Sequence, residues 1–158
     1  MSSSKVNIIR FVLNDEPVEV LVPPTEILLN TLRERVNVKS IRYGCGEGSC
    51  GACTVLVDGK PRLSCLTLTI SVDGRDVTTV EGLSKDGELH PIQKAFIEHN
   101  AAQCGYCTPG FILLLKALLD RNPNPSRDEV IDSLSSNLCR CTGYKNILEA
   151  AMSVVRRR

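Results

Sequence analysis

A short segment from Tyr43 to Val55, YGCGEGSCGACTV, concentrates thiols and glycines. Its cysteines are Cys45, Cys50 and Cys53, and its glycines are Gly44, Gly46, Gly48 and Gly51. Thiolates bind metals or form disulfides, and glycine-rich loops let the backbone approach a phosphate. Four kinds of site therefore fit these residue types: a disulfide cross-link, a zinc site, a phosphate-binding loop and an iron-sulfur cluster.

Three of these glycines, Gly46, Gly48 and Gly51, match the pattern G-x-G-x-x-G of dinucleotide-binding loops. That loop must follow a strand and open a helix, so that the helix N-terminus meets the pyrophosphate. The residues that follow this segment, TVLVDG from Thr54, are instead typical of a strand. The match therefore does not predict a nucleotide site.

Four cysteines, which we term the first cysteine set, follow the pattern C-x4-C-x2-C-x11-C. They are Cys45, Cys50, Cys53 and Cys65, the last of them on a predicted strand. The first three have the spacing of 2Fe-2S ligands in plant-type ferredoxins. A structural zinc more often takes two ligands from each of two short knuckles, and disulfides between such close cysteines restrict the unfolded chain least. The spacing favours a 2Fe-2S cluster, with zinc as the main alternative.

The glycines of this segment have a physical reason if a cluster is bound. A 2Fe-2S core with four thiolates carries a net charge of about −2 when it is oxidised, so it needs compensating dipoles close by. Residues without side chains can take positive φ and bring backbone N–H groups against the sulfurs. We therefore expect the loop from Gly44 to Gly51 to solvate the cluster charge with its backbone.

The second cysteine set consists of a C-x-x-C pair and, after 31 intervening residues, a C-x-C pair. Its members are Cys104, Cys107, Cys139 and Cys141. Taken alone, such pairs are also typical of zinc sites and thioredoxin-like dithiols. Both pairs precede predicted helices, whose N-termini favour negative charge. The second set is therefore predicted to gather at one end of a helical bundle, where four ligands could close a second cluster.

The first half of the chain is predicted to form a small α+β domain around the first set. Its strand-like runs are VNIIRFVL, PVEVLV, TVLV, RLSCLTLTI and DVTTV. The turn-forming NDE and the pairs Asp58-Gly59 and Asp73-Gly74 predict hairpins between them. Between the second and third runs, TEILLNTLRERV has helical spacing, with Thr25 as its expected N-cap.

The second half of the chain is predicted to be helical, after a polar stretch at residues 81–89 that is typical of a linker. The helical segments are HPIQKAFIEH, TPGFILLLKALLDR, SRDEVIDSLSS and GYKNILEAAMSVVRR. Proline opens the first two, and Ser126 with Glu129 has the spacing of a capping box. Short connections predict a compact four-helix bundle. The predicted organisation is thus two domains, residues 1–80 and residues 81–158.

Composition and charge exclude several classes of function. The formal net charge of +1 gives no field that would attract nucleic acid or an anionic membrane surface. The longest apolar run, Phe111 to Leu119, is far shorter than the ~20 residues of a membrane span. The N-terminus has no recognisable export signal. Eight cysteines in such a chain indicate metal or redox chemistry in the cytoplasm rather than disulfides.

The combined motifs resemble the small iron-sulfur subunit of the molybdenum hydroxylases, the family of xanthine dehydrogenase, aldehyde oxidoreductase and carbon monoxide dehydrogenase. The motifs are GCGEGSCGACTV, the later Cys65, QCGYCTPG at residues 103–110 and NLCRCTGY at residues 137–144. They span most of the chain in the order of the family. Ser49 and Ser136 depart from the family pattern, because glycine is frequent at both positions. Neither departure removes a ligand, although Ser49 is expected to change hydrogen bonding near the first set.

The resemblance implies that the two cysteine sets ligate two 2Fe-2S clusters, the first in a ferredoxin-like β-grasp domain and the second in the helical domain. In the family the second cluster lies next to molybdopterin, and Gln103 and Cys141 match positions that contact the pterin. Electrons pass from molybdenum through both clusters to FAD, during hydroxylation of an aldehyde or N-heterocycle, or oxidation of carbon monoxide in one branch. The implied partners are a large molybdopterin-binding subunit and a medium FAD-binding subunit in a heterotrimer, and no catalytic residue is expected on this chain.

Two alternatives come from other functional classes. The first cysteine set alone is also typical of a free-standing ferredoxin-type electron carrier, but a carrier has no evident use for the second set or the pterin-contact motif. A zinc-stabilised interaction module would bind no iron. His90 and His99 lie near predicted helix ends without a ligand partner at useful spacing, so we interpret them as capping or solvated residues.

Overall fold

The computed structural model describes residues 6–157, and its architecture is α+β. The strands are β1 (Asn7–Leu13), β2 (Glu16–Val22), β3 (Thr54–Val57), β4 (Lys60–Leu63) and β5 (Asp76–Thr78). The helices are α1 (Leu28–Asn30), which continues as a π-helix over Thr31–Arg35, α2 (Pro91–Glu98), α3 (Thr108–Arg121), α4 (Arg127–Ser135) and α5 (Lys145–Arg156). Residues 1–5 and Arg158, which belong to the two predicted domains, lie outside the described residues.

The five strands form one mixed sheet in the order β2-β1-β5-β3-β4. Strands β1 and β5 pair in parallel, and the other neighbours are antiparallel. Two tight hairpins, β1–β2 and β3–β4, turn at Asn14-Asp15 and Asp58-Gly59, where all four residues have positive φ. Positive φ at both central residues matches the twist of the flanking strands, so both predicted turns are confirmed.

Strand β3 contributes to two hydrophobic cores. All four of its residues are buried, which is typical of a strand covered on both faces. Because successive side chains point to opposite faces, Val55 and Val57 pack in the core of the sheet and α1, whereas Leu56 packs among the helices. This sharing fixes the sheet against the helical part of the chain, directly after the loop that carries Cys45, Cys50 and Cys53.

The helices α2 to α5 follow the predicted segments closely. Ser126 caps α4 by accepting from the Glu129 backbone N–H at 3.2 Å, and the Glu129 carboxylate accepts from the Ser126 N–H at 2.7 Å, which confirms the capping box. His90 caps α2, and His99 ends it with Nδ1 3.0 Å from the Ala95 carbonyl oxygen, as their interpretation as capping residues requires. No helix within residues 6–157 is long and apolar enough to cross a membrane.

The predicted N-cap of α1, Thr25, is wrong, because the helix begins three residues later. Ile27 stays extended and forms an isolated β-bridge with Leu68. Backbone hydrogen bonds hold it there, from the Leu28 N–H to the Thr67 carbonyl at 2.7 Å and from the Thr69 N–H to the Glu26 carbonyl at 2.9 Å. Because of this long-range pairing, the chain stays extended through Ile27, although local capping signals favour a helix directly after Thr25.

The predicted strand RLSCLTLTI is also wrong beyond Leu63. The chain turns into two short 3-10 segments, Ser64–Leu66 and Thr69–Val72. The bend begins where Ser64 donates from both its hydroxyl and its backbone N–H to the Cys53 carbonyl, at 2.8 and 3.3 Å. Cys65 therefore lies in a turn and not on a strand.

The predicted hairpin at Asp73-Gly74 does not form, because both residues dock onto β1. The Gly74 N–H donates to the Arg10 carbonyl at 2.6 Å, and the Arg10 N–H donates to the Asp73 carboxylate at 2.8 Å. The following β5 then pairs with β1 and β3, and not with the segment directly before the turn, as a hairpin would require. The start of the stretch predicted as a linker overlaps a further 3-10 segment, Val80–Leu83.

Candidate metal centres

The first cysteine set is assembled by the loop before β3 and the turn after β4. Because Thr54 and Leu63 are paired across this hairpin, the flanking Cys53 and Cys65 lie together, close enough for Cys53 to raise the pKa of Cys65. Cys45 and Cys50, both in the loop, form a second pair, in which Cys50 contributes to the lowered pKa of Cys45. The structure thus brings together the four residues that the spacing predicted.

Close packing explains why this loop is rich in glycine. A Cβ on Gly44 would lie 2.7 Å from Cys50 Sγ, well inside contact distance. Gly46 and Gly48 have φ of +74° and +86°, a region in which side-chain-bearing residues are strained. A side chain at Gly44 would displace the Cys50 thiol, and one at Gly46 or Gly48 would strain the backbone and crowd Tyr43 or Leu66.

Backbone N–H groups of the loop point at the sulfurs, as the sequence predicts. The Glu47 N–H lies 3.4 Å from Cys45 Sγ, and the Cys50 N–H also donates to it. The Gly48 N–H donates to Cys65 Sγ. Such donors stabilise negative charge on sulfur, whether it is a free thiolate or part of a cluster.

The thiols of the first set differ in acidity. Hydrogen bonds from the Ser49 hydroxyl and from the Glu47 and Cys50 N–H groups lower the pKa of Cys45 to about 6. Burial, together with its neighbour Cys53, raises the pKa of Cys65 to about 11. In the metal-free chain Cys45 therefore gives up its proton readily, whereas Cys65 requires a bound metal to do so.

The second cysteine set lies at the N-terminal ends of two helices. Cys107 occupies the N-cap position of α3, and Cys139 and Cys141 lie just before α5. Cys104 Sγ and Cys141 Sγ are 3.6 Å apart, and Cys139 lies close enough to Cys107 to raise its pKa. The prediction that these cysteines gather at one end of the helices is confirmed.

Burial and hydrogen bonding act in opposite directions on these thiols. Burial raises the pKa of Cys107 to about 12. Burial also opposes ionisation of Cys139, but the Thr142 hydroxyl at 3.1 Å and the Thr142 N–H at 3.4 Å outweigh it and lower its pKa. The hydrogen bond with Cys104 raises the pKa of Cys141.

Each set consists of one buried pair and one more accessible pair. Cys53 with Cys65 and Cys107 with Cys139 are buried, Cys45 and Cys50 are half-buried, and Cys104 and Cys141 are exposed. Within residues 6–157 no three His, Cys, Asp or Glu side chains surround a position for a single ion. Two pairs of thiols suit a 2Fe-2S cluster, in which each iron takes two protein ligands, better than a tetrahedral zinc. The residues present therefore fit the predicted cofactor.

Gln103 and Cys141, the two predicted pterin neighbours, are both exposed. Gln103 directly precedes Cys104, whose sulfur lies beside that of Cys141. Cys141 is thus a member of the accessible pair of the second set, and Gln103 is the chain neighbour of the other member.

Two further residues, neither of them a predicted site residue, connect the two sets. The Tyr106 hydroxyl donates to the Tyr43 carbonyl at 2.6 Å, across the boundary between the sheet and the helices. Asn137, the first residue of NLCRCTGY, is buried and donates from its side chain to the Cys107 carbonyl at 2.9 Å. The only sequence signal for either residue is its place within or beside a cysteine motif.

The chain matches two described domain families and several characterised proteins. Residues 11–80 match the 2Fe-2S iron-sulfur cluster binding domain family, and residues 79–152 match the 2Fe-2S binding domain family. The nicotine 6-hydroxylase small subunit of Paenarthrobacter nicotinovorans is 51% identical, over 84% of this chain and 80% of the relative. The nicotinate dehydrogenase small FeS subunit of Eubacterium barkeri is 46% identical, over 92% of both chains.

Solved structures with the same fold include separate subunits and parts of longer chains. A chain of quinoline 2-oxidoreductase from Pseudomonas putida is 42% identical, with a TM-score of 0.90 over 98% of both chains. The aldehyde oxidoreductase from Desulfovibrio desulfuricans is 44% identical, with a TM-score of 0.91 over 96% of this chain and 17% of the longer one. Together with the two paired cysteine sets, these similarities establish that the chain belongs to the family of small 2Fe-2S subunits of the molybdenum hydroxylases.

Proposed function

We propose that this chain passes electrons from a molybdopterin site through two 2Fe-2S clusters toward FAD, during oxidation of an aldehyde or N-heterocycle by partner subunits. The observation that carries the proposal is the presence of two four-cysteine sets, each made of two thiol pairs, on one chain. Relatives named for nicotine, nicotinate and quinoline support an N-heterocycle, and one named for aldehydes supports the other substrate class.

The ligands in this proposal are the eight cysteines of the two sets. A bound 2Fe-2S cluster accepts and donates one electron at a time. The chain holds each cluster through four thiolates and stabilises the added negative charge with hydrogen-bond donors. Those donors include the Glu47 and Gly48 N–H groups at the first set and the Thr142 N–H and hydroxyl at the second.

We further propose that the two sets belong to two domains, a ferredoxin-like β-grasp domain at residues 1–80 and a four-helix bundle at residues 81–158. Support comes from the two hydrophobic cores, one around the sheet and one around α2 to α5. The family matches to residues 11–80 and 79–152 agree with this division.

The proposed direction of electron flow rests on the exposure of Cys104, Cys141 and Gln103. An exposed ligand pair allows a partner cofactor to approach closely, and Gln103 supplies an amide that can donate and accept hydrogen bonds. We therefore propose that this end faces a large molybdopterin-binding subunit and that the first set serves a medium FAD-binding subunit. A cytoplasmic location stays a prediction.

The test is purification of this chain, tagged, from its own cells. We expect it to bring with it molybdenum, flavin and two larger subunits, and we expect an aldehyde or N-heterocycle to reduce both clusters in the isolated complex. The alternative, a free-standing ferredoxin-type carrier, predicts a single iron-containing chain without molybdenum or flavin. That result would contradict the proposal.

A further inference from the structure

Besides the hydrogen bond from Tyr106 to Tyr43, a buried junction around Asn137 joins the loops that carry the two cysteine sets. This side chain is only 1% exposed, and its Nδ2 donates to the Cys107 carbonyl oxygen at 2.9 Å. The next residue, Leu138, donates its backbone N–H to the Cys50 carbonyl oxygen at 2.8 Å. Residues 137 and 138 therefore contact a cysteine of each set and lie directly before a third cysteine, Cys139.

Two glycines leave the space that Asn137 occupies. A Cβ on Gly51 would lie 2.8 Å from Asn137 Cα and closer still to the Ser136 carbonyl oxygen. A Cβ on Gly110, in α3, would lie 2.6 Å from Asn137 Nδ2 and 2.9 Å from the Gly51 carbonyl oxygen. The loop of the first set, helix α3 and Asn137 are thus packed so closely that a methyl group added at Gly51 or Gly110 would push them apart.

An asparagine at this position is not explained by stability alone. Its Oδ1 is buried and has no hydrogen-bond partner within residues 6–157. An unpaired buried polar atom is unfavourable by about 1–3 kcal/mol, and an apolar side chain of similar volume would avoid that penalty. The amide donor to Cys107 is the contribution that leucine could not replace.

We propose that Asn137 is a positioning residue for electron transfer between the two cluster sites. Its amide holds Cys107 of the second set, and this fixes the backbone from which the adjoining Leu138 N–H reaches Cys50 of the first. The step is the movement of one electron, with no bond formed or broken: the second site is oxidised and the first is reduced. This inference rests on the proposed function, because it requires a cluster at each set.

The test compares Asn137→Leu with Asn146→Leu in the full chain. The first variant removes the amide donor at nearly constant volume, and the control removes an exposed amide hydrogen bond from Asn146 Nδ2 to the Asn100 carbonyl, 3.3 Å long. Both proteins are fully reduced with dithionite, and the magnetic coupling between the two reduced clusters is measured by electron paramagnetic resonance together with iron content. We expect wild-type iron in both variants, loss or change of the coupling in Asn137→Leu, and unchanged coupling in Asn146→Leu.

Unchanged coupling in an Asn137→Leu protein with wild-type iron would overturn the inference, even if its unfolding temperature fell, because that is the signature of a structural role. If the Asn137→Leu protein does not fold, the same coupling is measured in Gly110→Ala. That change adds helix propensity while crowding the Asn137 amide, so altered coupling supports the inference and wild-type coupling overturns it. A wild-type chain that binds no iron would instead overturn the proposed function, and this inference with it.

Discussion

At the scale of single residues, the surroundings of each thiol decide whether it is ready to bind a metal. Cys45 accepts hydrogen bonds from backbone and side-chain donors, so its pKa lies near 6. Burial holds the pKa of Cys65 near 11 and that of Cys107 near 12. Each set therefore combines a thiol whose pKa is lowered, Cys45 or Cys139, with one that burial keeps protonated at neutral pH until a metal replaces its proton.

Cys45 should be the most readily alkylated of these three thiols in the metal-free chain. Because only the thiolate reacts, its iodoacetamide labelling should reach half its maximal rate near pH 6, whereas Cys65 and Cys107 should remain unlabelled at pH 7.

The Ser49 hydroxyl lies 3.1 Å from Glu47 Oε1 and also donates to Cys45, although its one proton serves one acceptor at a time. Ser49→Ala should shift the labelling curve to higher pH, as peptide mapping by mass spectrometry would detect. A curve that Ser49→Ala leaves in place would contradict this explanation of the low pKa, and Ser71→Ala, remote from the thiols, is the control.

At the scale of secondary-structure elements, those with local signals were predictable and those fixed by contacts between distant residues were not. The helices α2 to α5 and the hairpin at Asp58-Gly59 carry local signals such as prolines, a capping box and a type I′ turn pair, and all of them formed. Both cysteine sets were found because spacing along the chain is visible in the sequence. The bridge of Ile27 to Leu68, the turn at Cys65 and the burial of Asn137 depend on contacts between distant residues, which no local pattern encodes.

The loop of the first set should tolerate a methyl group far less well than the β3–β4 hairpin does. Gly51 and Gly59 have nearly the same φ, +72° and +71°, so alanine brings similar backbone strain of about 1 kcal/mol at each. Nothing lies within 4 Å of a Cβ at Gly59, but one at Gly51 would collide with the backbone of residues 136 and 137. Gly51→Ala should therefore lower the free energy of unfolding by a further ~1–3 kcal/mol in denaturant titrations. Equal losses for the two variants would mean that the contact does not constrain the loop.

The segment predicted as a linker is fixed by Glu81, and this contact should depend on pH. Its carboxylate accepts from the Ser40 N–H at 3.0 Å, the Ser40 hydroxyl at 2.6 Å and the Thr79 hydroxyl at 2.6 Å. Desolvation opposes ionisation, but these hydrogen bonds outweigh it and hold the Glu81 pKa below its usual value of 4.5. Because the folded-state pKa is depressed, the stabilisation is present above the unfolded value and is lost as the pH falls through the folded one.

Glu81→Gln should accordingly lower the free energy of unfolding by about 1 kcal/mol at pH 7. The difference from the wild type should shrink below about pH 4.5 and vanish in more acid solution, where the wild-type carboxyl is also neutral. Urea titrations of both proteins across this range provide the measurement, and the acid end of the series is its own control. A difference that stays constant with pH would show that the charge of Glu81 plays no part.

At the scale of the whole molecule, the two cysteine sets are held in one packed structure rather than on two independent parts. Leu56 of β3 lies in the helical core, and the Leu138–Cys50 hydrogen bond joins the loops themselves. A freely diffusing carrier needs only one cluster, whereas two sites in fixed relation are suited to passing electrons across a complex. The matches to small subunits of nicotine 6-hydroxylase and nicotinate dehydrogenase fit this organisation.

The central claim, that the chain carries two 2Fe-2S clusters, is tested most directly by iron and acid-labile sulfide analysis of anaerobically purified protein. Electron paramagnetic resonance after dithionite reduction counts the distinct clusters in the same sample. Two clusters require four irons and four sulfides per chain, with two distinguishable 2Fe-2S signals. Two irons with a single signal would contradict the assignment of the second set, and zinc without labile sulfide would contradict the redox function as a whole.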